Sequence, residues 1–419
     1  MNPTECGWRR AARALGFVGC VTLAPLGALG GCSSSDPRTS SDAAGGGSSA
    51  GTSATAAGNA GTASDAGSGG AAAGVAGTAG SAAGGAAAGS AGAVAGSGGA
   101  LALDCSKPSA SGSLTTRLPC LLSATGLYAP DMVTLATGVH PYAPSFELWS
   151  DGATKQRWIL LPAGSKIDTS DMDYWSFPVG TKLWKEFTRD GVRVETRLIE
   201  KQASGSWYTV AYQWRADQKE ADAVPNGVMN ASGTEHDIPN NDQCLTCHSQ
   251  TPDKALGFSA IQLSHDKLLQ PANPLEWTLS TLLADGLLSA PPAAVVSVPG
   301  TELDRKFFGY LHANCGHCHN PKGTANSQTG LDMWLKVADL KGTVSQFSVY
   351  QGIFGTDIAW LDGDHPAAPK RVAPGSLEDS AVYQRFIKKA EAWSMPPLGT
   401  ELVDPEGKKL MEDWIGAAK

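Results

Sequence analysis

Two stretches of this chain combine cysteine and histidine at a spacing suited to covalent chemistry: Cys244-Leu245-Thr246-Cys247-His248 and Cys315-Gly316-His317-Cys318-His319. Two thiols three residues apart can form thioethers to the two vinyl groups of a haem, and the histidine after the second thiol can bind the iron from the same side. From the chain's own cysteine and histidine frequencies, chance supplies roughly 0.004 such pentapeptides, so two copies are a strong signal. The expected cofactor is therefore haem c, two covalently attached groups, held by Cys244, Cys247 and His248 and by Cys315, Cys318 and His319. A zinc site would need further ligands at conventional spacing.

The opposite face of each iron is assigned separately. Met395 lies in a stiff Met395-Pro396-Pro397 loop shortly before the last apolar helical pattern, and is the expected distal ligand of the second haem. Met411 and Met333 read as core residues, His312 as structural, and His317 as solvent-facing. No methionine occurs between Met229 and Met333, so the first haem has no downstream methionine close by. His265, His236 and Met229 are its candidate ligands. Two histidines would lower the potential relative to His/Met ligation, whereas an empty sixth position would bind peroxide or another small ligand. No arginine and no identifiable acid/base pair stands near Cys244 in sequence, although Glu235, Asp237 and Asp242 do.

The segments that must position these groups follow from composition. Residues 1–32 read as a lipoprotein signal peptide: Arg9, Arg10 and Arg13 precede an apolar run that ends Leu29-Gly30-Gly31-Cys32. Cys32 is the expected lipid-bearing residue, anchoring the protein to a membrane. In residues 33–100, sixty of the 68 are Gly, Ala, Ser or Thr; such a tether cannot bury enough apolar surface to offset the cost of ordering. Cys105 and Cys120 remain as an even pair, either a disulfide in an oxidising compartment or two free thiols. The formal charge of −8 argues against a nucleic-acid partner and could steer a basic redox partner.

Residues 101–240 form a β-rich domain on this reading. Half of the twelve tryptophans fall between Trp149 and Trp214, within short alternating runs separated by turn signals such as Arg189-Asp190-Gly191. That spacing predicts an antiparallel sandwich or barrel, with the tryptophans as core residues or as a ligand platform. Residues 241–300 carry the first haem-binding segment and then a helix expected to begin at Asn273-Pro274-Leu275-Glu276. Residues 301–419 read as a helical unit. One helix carries Leu303, Phe307, Tyr310 and Leu311 into Cys315; another starts at Asp404-Pro405 and presents Leu410, Met411, Trp414 and Ile415. The fold class is thus multidomain α+β, an antiparallel β domain followed by mostly α-helical cytochrome c-type haem domains.

Residues 301–419 resemble the class I cytochrome c domain. From about residue 126 onward the chain resembles a family of bacterial cell-envelope di-haem c-type cytochromes. The resemblance rests on the stretch from Leu148-Trp149-Ser150-Asp151-Gly152 to Arg157, on Phe177-Pro178-Val179-Gly180-Thr181, on both haem motifs, on Pro374-Gly375 with Ser380, Tyr383 and Arg385, and on Met395-Pro396-Pro397-Leu398-Gly399. It implies electron transfer between redox protein partners of the envelope. Separately, Cys32 followed by Ser33 and Ser34, with no aspartate there, resembles known outer-membrane lipoproteins and implies that location, facing the periplasm or the cell surface. An electron carrier is expected ahead of a catalyst. The alternatives are a peroxidase-like di-haem enzyme with an open first haem, and a β binding module to which the haem unit is merely wired.

Overall fold

The computed structural model of the chain describes residues 119–265, 275–358, 368–389, 391 and 393–418, all within one compact unit, Val94–Lys419. The expected leader, Cys32, the tether and Cys105 lie outside the described residues. Cys120 is disulfide-bonded.

Six strands form one antiparallel sheet in sequence order: β1 (Val139–Pro141), β2 (Thr154–Leu160), β3 (Lys182–Arg189), β4 (Val192–Lys201), β5 (Trp207–Trp214) and β6 (Ala221–Ala223). The hairpin between β3 and β4 turns on Asp190 and Gly191, whose φ angles of 50° and 80° suit the tight turn that matches strand twist. The architecture is mixed α+β, but among the described residues the sheet is single, where the strand spacing predicts a sandwich or barrel. The reason lies in what covers its faces. On one face Trp158, Trp184, Leu198, Val210, Tyr212 and Trp214 pack under Leu122, Leu127 and Tyr128 from the preceding segment. On the other, Ile159, Leu183, Ile199 and Trp207 pack under Phe258, Leu263, Trp277, Leu279 and Leu282. Loop and helix thus supply the layers that a second sheet would have supplied, and strand spacing alone does not distinguish these cases. The tryptophans of β2 to β5 are all buried within these layers.

Seven α-helices follow among the described residues: α1 (Asn241–His248), α2 (Leu279–Ala284), α3 (Glu302–Asn314), α4 (Thr324–Thr329), α5 (Ser348–Ile353), α6 (Ala381–Ile387) and α7 (Pro405–Ala417). α2 begins later than the sequence signals predict. The Trp277 amide donates to the Pro141 carbonyl at 2.7 Å, keeping residues 275–278 off the helix. The reciprocal Thr278–Thr281 capping box then opens it. α3 and α7 pack together through a ring stack of Phe307 on Trp414, with centroids 4.0 Å apart and planes 2° apart. Their approach is close at Gly407, where an added Cβ would lie 2.4 Å from the Tyr310 hydroxyl oxygen. Polar bonds fix the pair at both ends: Trp414 Nε1 donates to Asp304 Oδ1 at 2.9 Å and Tyr310 Oη to Asp404 Oδ2 at 3.0 Å.

The sheet and the helices are tied through the Leu148-Trp149-Ser150-Asp151-Gly152 stretch. The Trp149 amide donates to Asn314 Oδ1 (2.8 Å) at the end of α3, and Asn314 Nδ2 donates back to the Glu147 carbonyl (3.0 Å). Asp151 Oδ1 accepts the amides of Glu401 and Leu402 at 3.0 and 2.8 Å. This stretch therefore fixes both the helix entering Cys315 and the loop following Met395. Among the described residues, no helix is long and apolar enough to cross a membrane.

Candidate functional site

The first motif sits on α1, which opens with an Asn240–Gln243 capping box. Its C-terminal side is pinned by Asp253, which accepts Lys201 Nζ at 2.7 Å, Trp207 Nε1 at 2.8 Å and the Phe177 amide. These bonds hold the turn after His248 against the sheet. His248 Nδ1 lies 2.6 Å from the Lys254 carbonyl oxygen. That contact requires the ring proton at Nδ1 and leaves the Nε2 lone pair available. Burial pushes this imidazole down to about 4, so it is neutral at pH 7 and suited to bind a metal.

The second motif starts where α3 ends. His319 has its Nδ1 buried without a hydrogen bond, and burial pushes its ring down to about 4 as well. The His319 carbonyl accepts the Met333 amide at 2.7 Å. Gly316 is required by closeness, since a Cβ there would lie 2.7 Å from the His312 carbonyl oxygen. The thiol of Cys315 is pushed up to about 12 by burial, with Lys389 acting in the opposite direction.

The fold brings the two motifs to one point. Ligand atoms of Cys247, His317 and Cys318 lie within 4.8 Å of one another. A hydrogen bond with Cys318 pulls the Cys247 thiol below its ordinary value, with His317 adding to the effect. A second link joins the segments, since Gln250 Oε1 accepts both the amide and the hydroxyl of Thr324 at 2.7 and 3.0 Å. The Cys-His-Cys cluster offers three donors, one fewer than a structural zinc site takes.

A cavity of about 530 Å³ opens beside this point, within the range of ligand and cofactor pockets. Cys244, Cys247 and His248 line it together with apolar and aromatic groups such as Tyr142, Phe258 and Trp334. Its lining includes His236, His312, His317 and Met229. His236 is buried, with Nε2 2.8 Å from Glu195 Oε2. His317, expected to face solvent, is buried. Met229 is largely exposed at 70 %. His265 is not among the lining residues; its Nε2 lies 2.9 Å from the Ala143 carbonyl oxygen.

Met395 is half-buried. Its amide donates to the Arg385 carbonyl at 2.9 Å and its carbonyl accepts Lys389 Nζ at 3.2 Å. Arg385 also helps hold down the His319 imidazole, and Lys389 acts on Cys315. These two α6-side residues are thus common neighbours of the Met395 loop and the second motif. The next residues of the loop, Pro396 to Glu401, line the cavity.

Sequence reasoning missed the buried and half-buried cations under the first motif. Arg157, Lys185 and Arg197 line the cavity from β2, β3 and β4, although no arginine stands near Cys244 in sequence. Period-two alternation in the strands was the available signal, since it puts these residues on one face once the register is known.

His312 gives a direct pH test. It is 3 % exposed, its Nδ1 accepts the Leu335 amide at 3.2 Å, and burial with His317 nearby pushes it down to about 3. The unfolded chain, with a histidine value of about 6.5, takes up this proton first as pH falls. Stability present above that value is therefore lost progressively between pH 6.5 and 3, by up to about 1.4 kcal/mol per pH unit. Denaturant midpoints measured across this window should fall less steeply in His312→Gln than in the parent; parallel curves would refute the assignment.

No family model, curated protein or solved structure matches the chain. Fold and site together define its class: an α+β protein in which two Cys-x-x-Cys-His segments meet beside one cavity between the sheet and the helices.

Proposed function

We propose that the protein is a di-haem c-type cytochrome that transfers single electrons. Cys244 and Cys247 would form the thioethers of the first haem, with His248 Nε2 as its proximal ligand; Cys315, Cys318 and His319 would play these parts for the second. The supporting fit is chemical. His248 has the tautomer a metal ligand needs, the first cysteine pair lines a mainly apolar cavity of suitable size, and the second histidine has a buried ring nitrogen without a partner. Bound haem would supply a one-electron couple, whose potential the protein sets through axial ligand, burial and hydrogen bonds.

The observation that carries the electron-transfer reading is the meeting of Cys247 and Cys318. Two groups attached through these sulfurs start from neighbouring atoms, so the chain itself supplies a short route between them. The pairing of α3 with α7 and the tethering of the Met395 loop support a class I cytochrome-like unit with Met395 as distal ligand. The envelope location, the anchoring through Cys32 and the protein redox partners belong to the same proposal and rest on the sequence.

A second reading, a redox enzyme with an open first haem, is favoured by the Glu195, His236, Lys185 and Arg197 side chains beside the first motif. Electron paramagnetic resonance of the oxidised protein, at successive potentials and with and without cyanide, separates the readings. Two covalent haems per chain with low-spin signals indifferent to cyanide are expected, and Met395→Ala should turn one of them high-spin. A cyanide-sensitive high-spin signal in the parent favours the enzyme, and a chain without covalent haem overturns both.

A further inference from the structure

Arg157, Lys185 and Arg197 are direct cross-strand neighbours, Arg157 opposite Lys185 and Lys185 opposite Arg197. They therefore stand in one row on one face of the sheet, and all three line the cavity beside Cys244 and His248. Like charges directly opposite one another in a sheet are destabilising, so the row needs an offsetting partner. The outer members have one. Arg157 lies 3.5 Å from Glu147, which Lys155 shares, and Arg197 is bound to buried Glu195 at 2.5 and 2.9 Å. Lys185 between them has only the Phe187 ring, 4.7 Å from its Nζ, and among the described residues no carboxylate in ion-pair contact. Of the acidic lining residues, Asp151, Glu235 and Asp237 surround Glu401 and raise its pKa, Asp253 is bound to Lys201, and Asp173 accepts the Val337 amide; Glu195, engaged by Arg197, is the carboxylate whose charge reaches Lys185.

We propose that this row is an anion site in which Lys185 takes up a carboxylate or small oxyanion inside the cavity, flanked by the Arg157 and Arg197 guanidiniums. The inference rests on the haem reading for one source of the anion, the propionate carboxylates of the first haem; the other source is a diffusible anion. Burial and the two guanidiniums push the Lys185 ammonium well below its ordinary value. An anion beside it opposes that shift and favours the charged ammonium.

The experiment compares the parent, Lys185→Met and Lys185→Arg as full-length protein. Covalent haem per chain, the midpoint potential of each haem, and thermal stability in sulfate against chloride at equal ionic strength are measured on the same samples. If propionates occupy the row, sulfate stabilises the parent and Lys185→Met equally and without saturation, as an excluded salt does, and Lys185→Met lowers the potential of one haem, while Lys185→Arg restores it. If a diffusible anion occupies it, sulfate stabilises the parent saturably, and Lys185→Met weakens that binding about tenfold or more, as expected for loss of a charge-assisted hydrogen bond. A variant matching the parent in both potential and sulfate response overturns the anion site. Haem content reports separately on the haem reading, and with no haem bound the sulfate comparison alone decides.

Discussion

A chain carrying Cys244→Ser and Cys247→Ser is expected to bind one covalent haem in place of two, and so to take up half the electrons per molecule in a reductive titration. The reason is local. A thioether needs a sulfur nucleophile, a serine hydroxyl does not replace it, and each motif carries its own pair of thiols and its own histidine. The second motif draws its support from elsewhere, from the α3–α7 stack and from the Met395 loop bound to Arg385 and Lys389. It should therefore load normally. Because Cys318 loses its Cys247 neighbour, the remaining haem should keep its low-spin spectrum while its midpoint potential shifts. Intact mass and haem absorbance per chain read the outcome. Two haems in the variant would refute the attachment site, and none would show that the motifs fold only together.

Much of this arrangement was legible in the chain, and the illegible parts share a cause. The Asp190-Gly191 turn and the Asp404-Pro405 helix start are signals read within a few residues, and each sits in the structure where its local chemistry puts it. The late start of α2 was hidden because the bond that delays it comes from Pro141 on a distant strand. The single sheet was hidden because alternation reports that a face is buried but not by what. The cationic row was hidden for the same reason. Arg157, Lys185 and Arg197 become neighbours only through strand register, and the sheet brings Arg197 beneath the first motif although no arginine is near it in sequence. The stretch around Asp151 was recognisable as a pattern, yet its work, tying α3 and the Met395 loop to the sheet, is visible only in its bonds to Asn314, Glu401 and Leu402.

The same register argument places Glu195 as a fully buried carboxylate under the cavity. Its side chain is fully buried, accepting Arg197 at 2.5 and 2.9 Å and facing His236 Nε2 at 2.8 Å. Burial alone would raise its pKa, but Arg197 and His236 together hold it below the ordinary carboxylate value. The stability it supplies is therefore present above about pH 4.5 and lost as pH falls through its lowered folded value. Glu195→Ala leaves the Arg197 guanidinium, about a quarter exposed, in a row of cations with no carboxylate beside it, a change expected to cost about 3 kcal/mol, the low end for breaking a buried pair. Urea unfolding should show a lower midpoint with an unchanged slope. The double change Glu195→Leu with Arg197→Met separates the causes. It removes both charges at similar volume and should regain most of the loss, because an apolar pair replaces a buried ion pair at little cost. A double variant as unstable as Glu195→Ala would mean that the loss comes from buried His236, which gives up its Glu195 partner in both variants, and not from the Arg197 charge. If Glu195→Ala lost less than about 1 kcal/mol, the range for an exposed ion pair, Arg197 would have to find its counter-charge elsewhere in the cavity, and an anion in the site proposed at Lys185 would be placed to supply it.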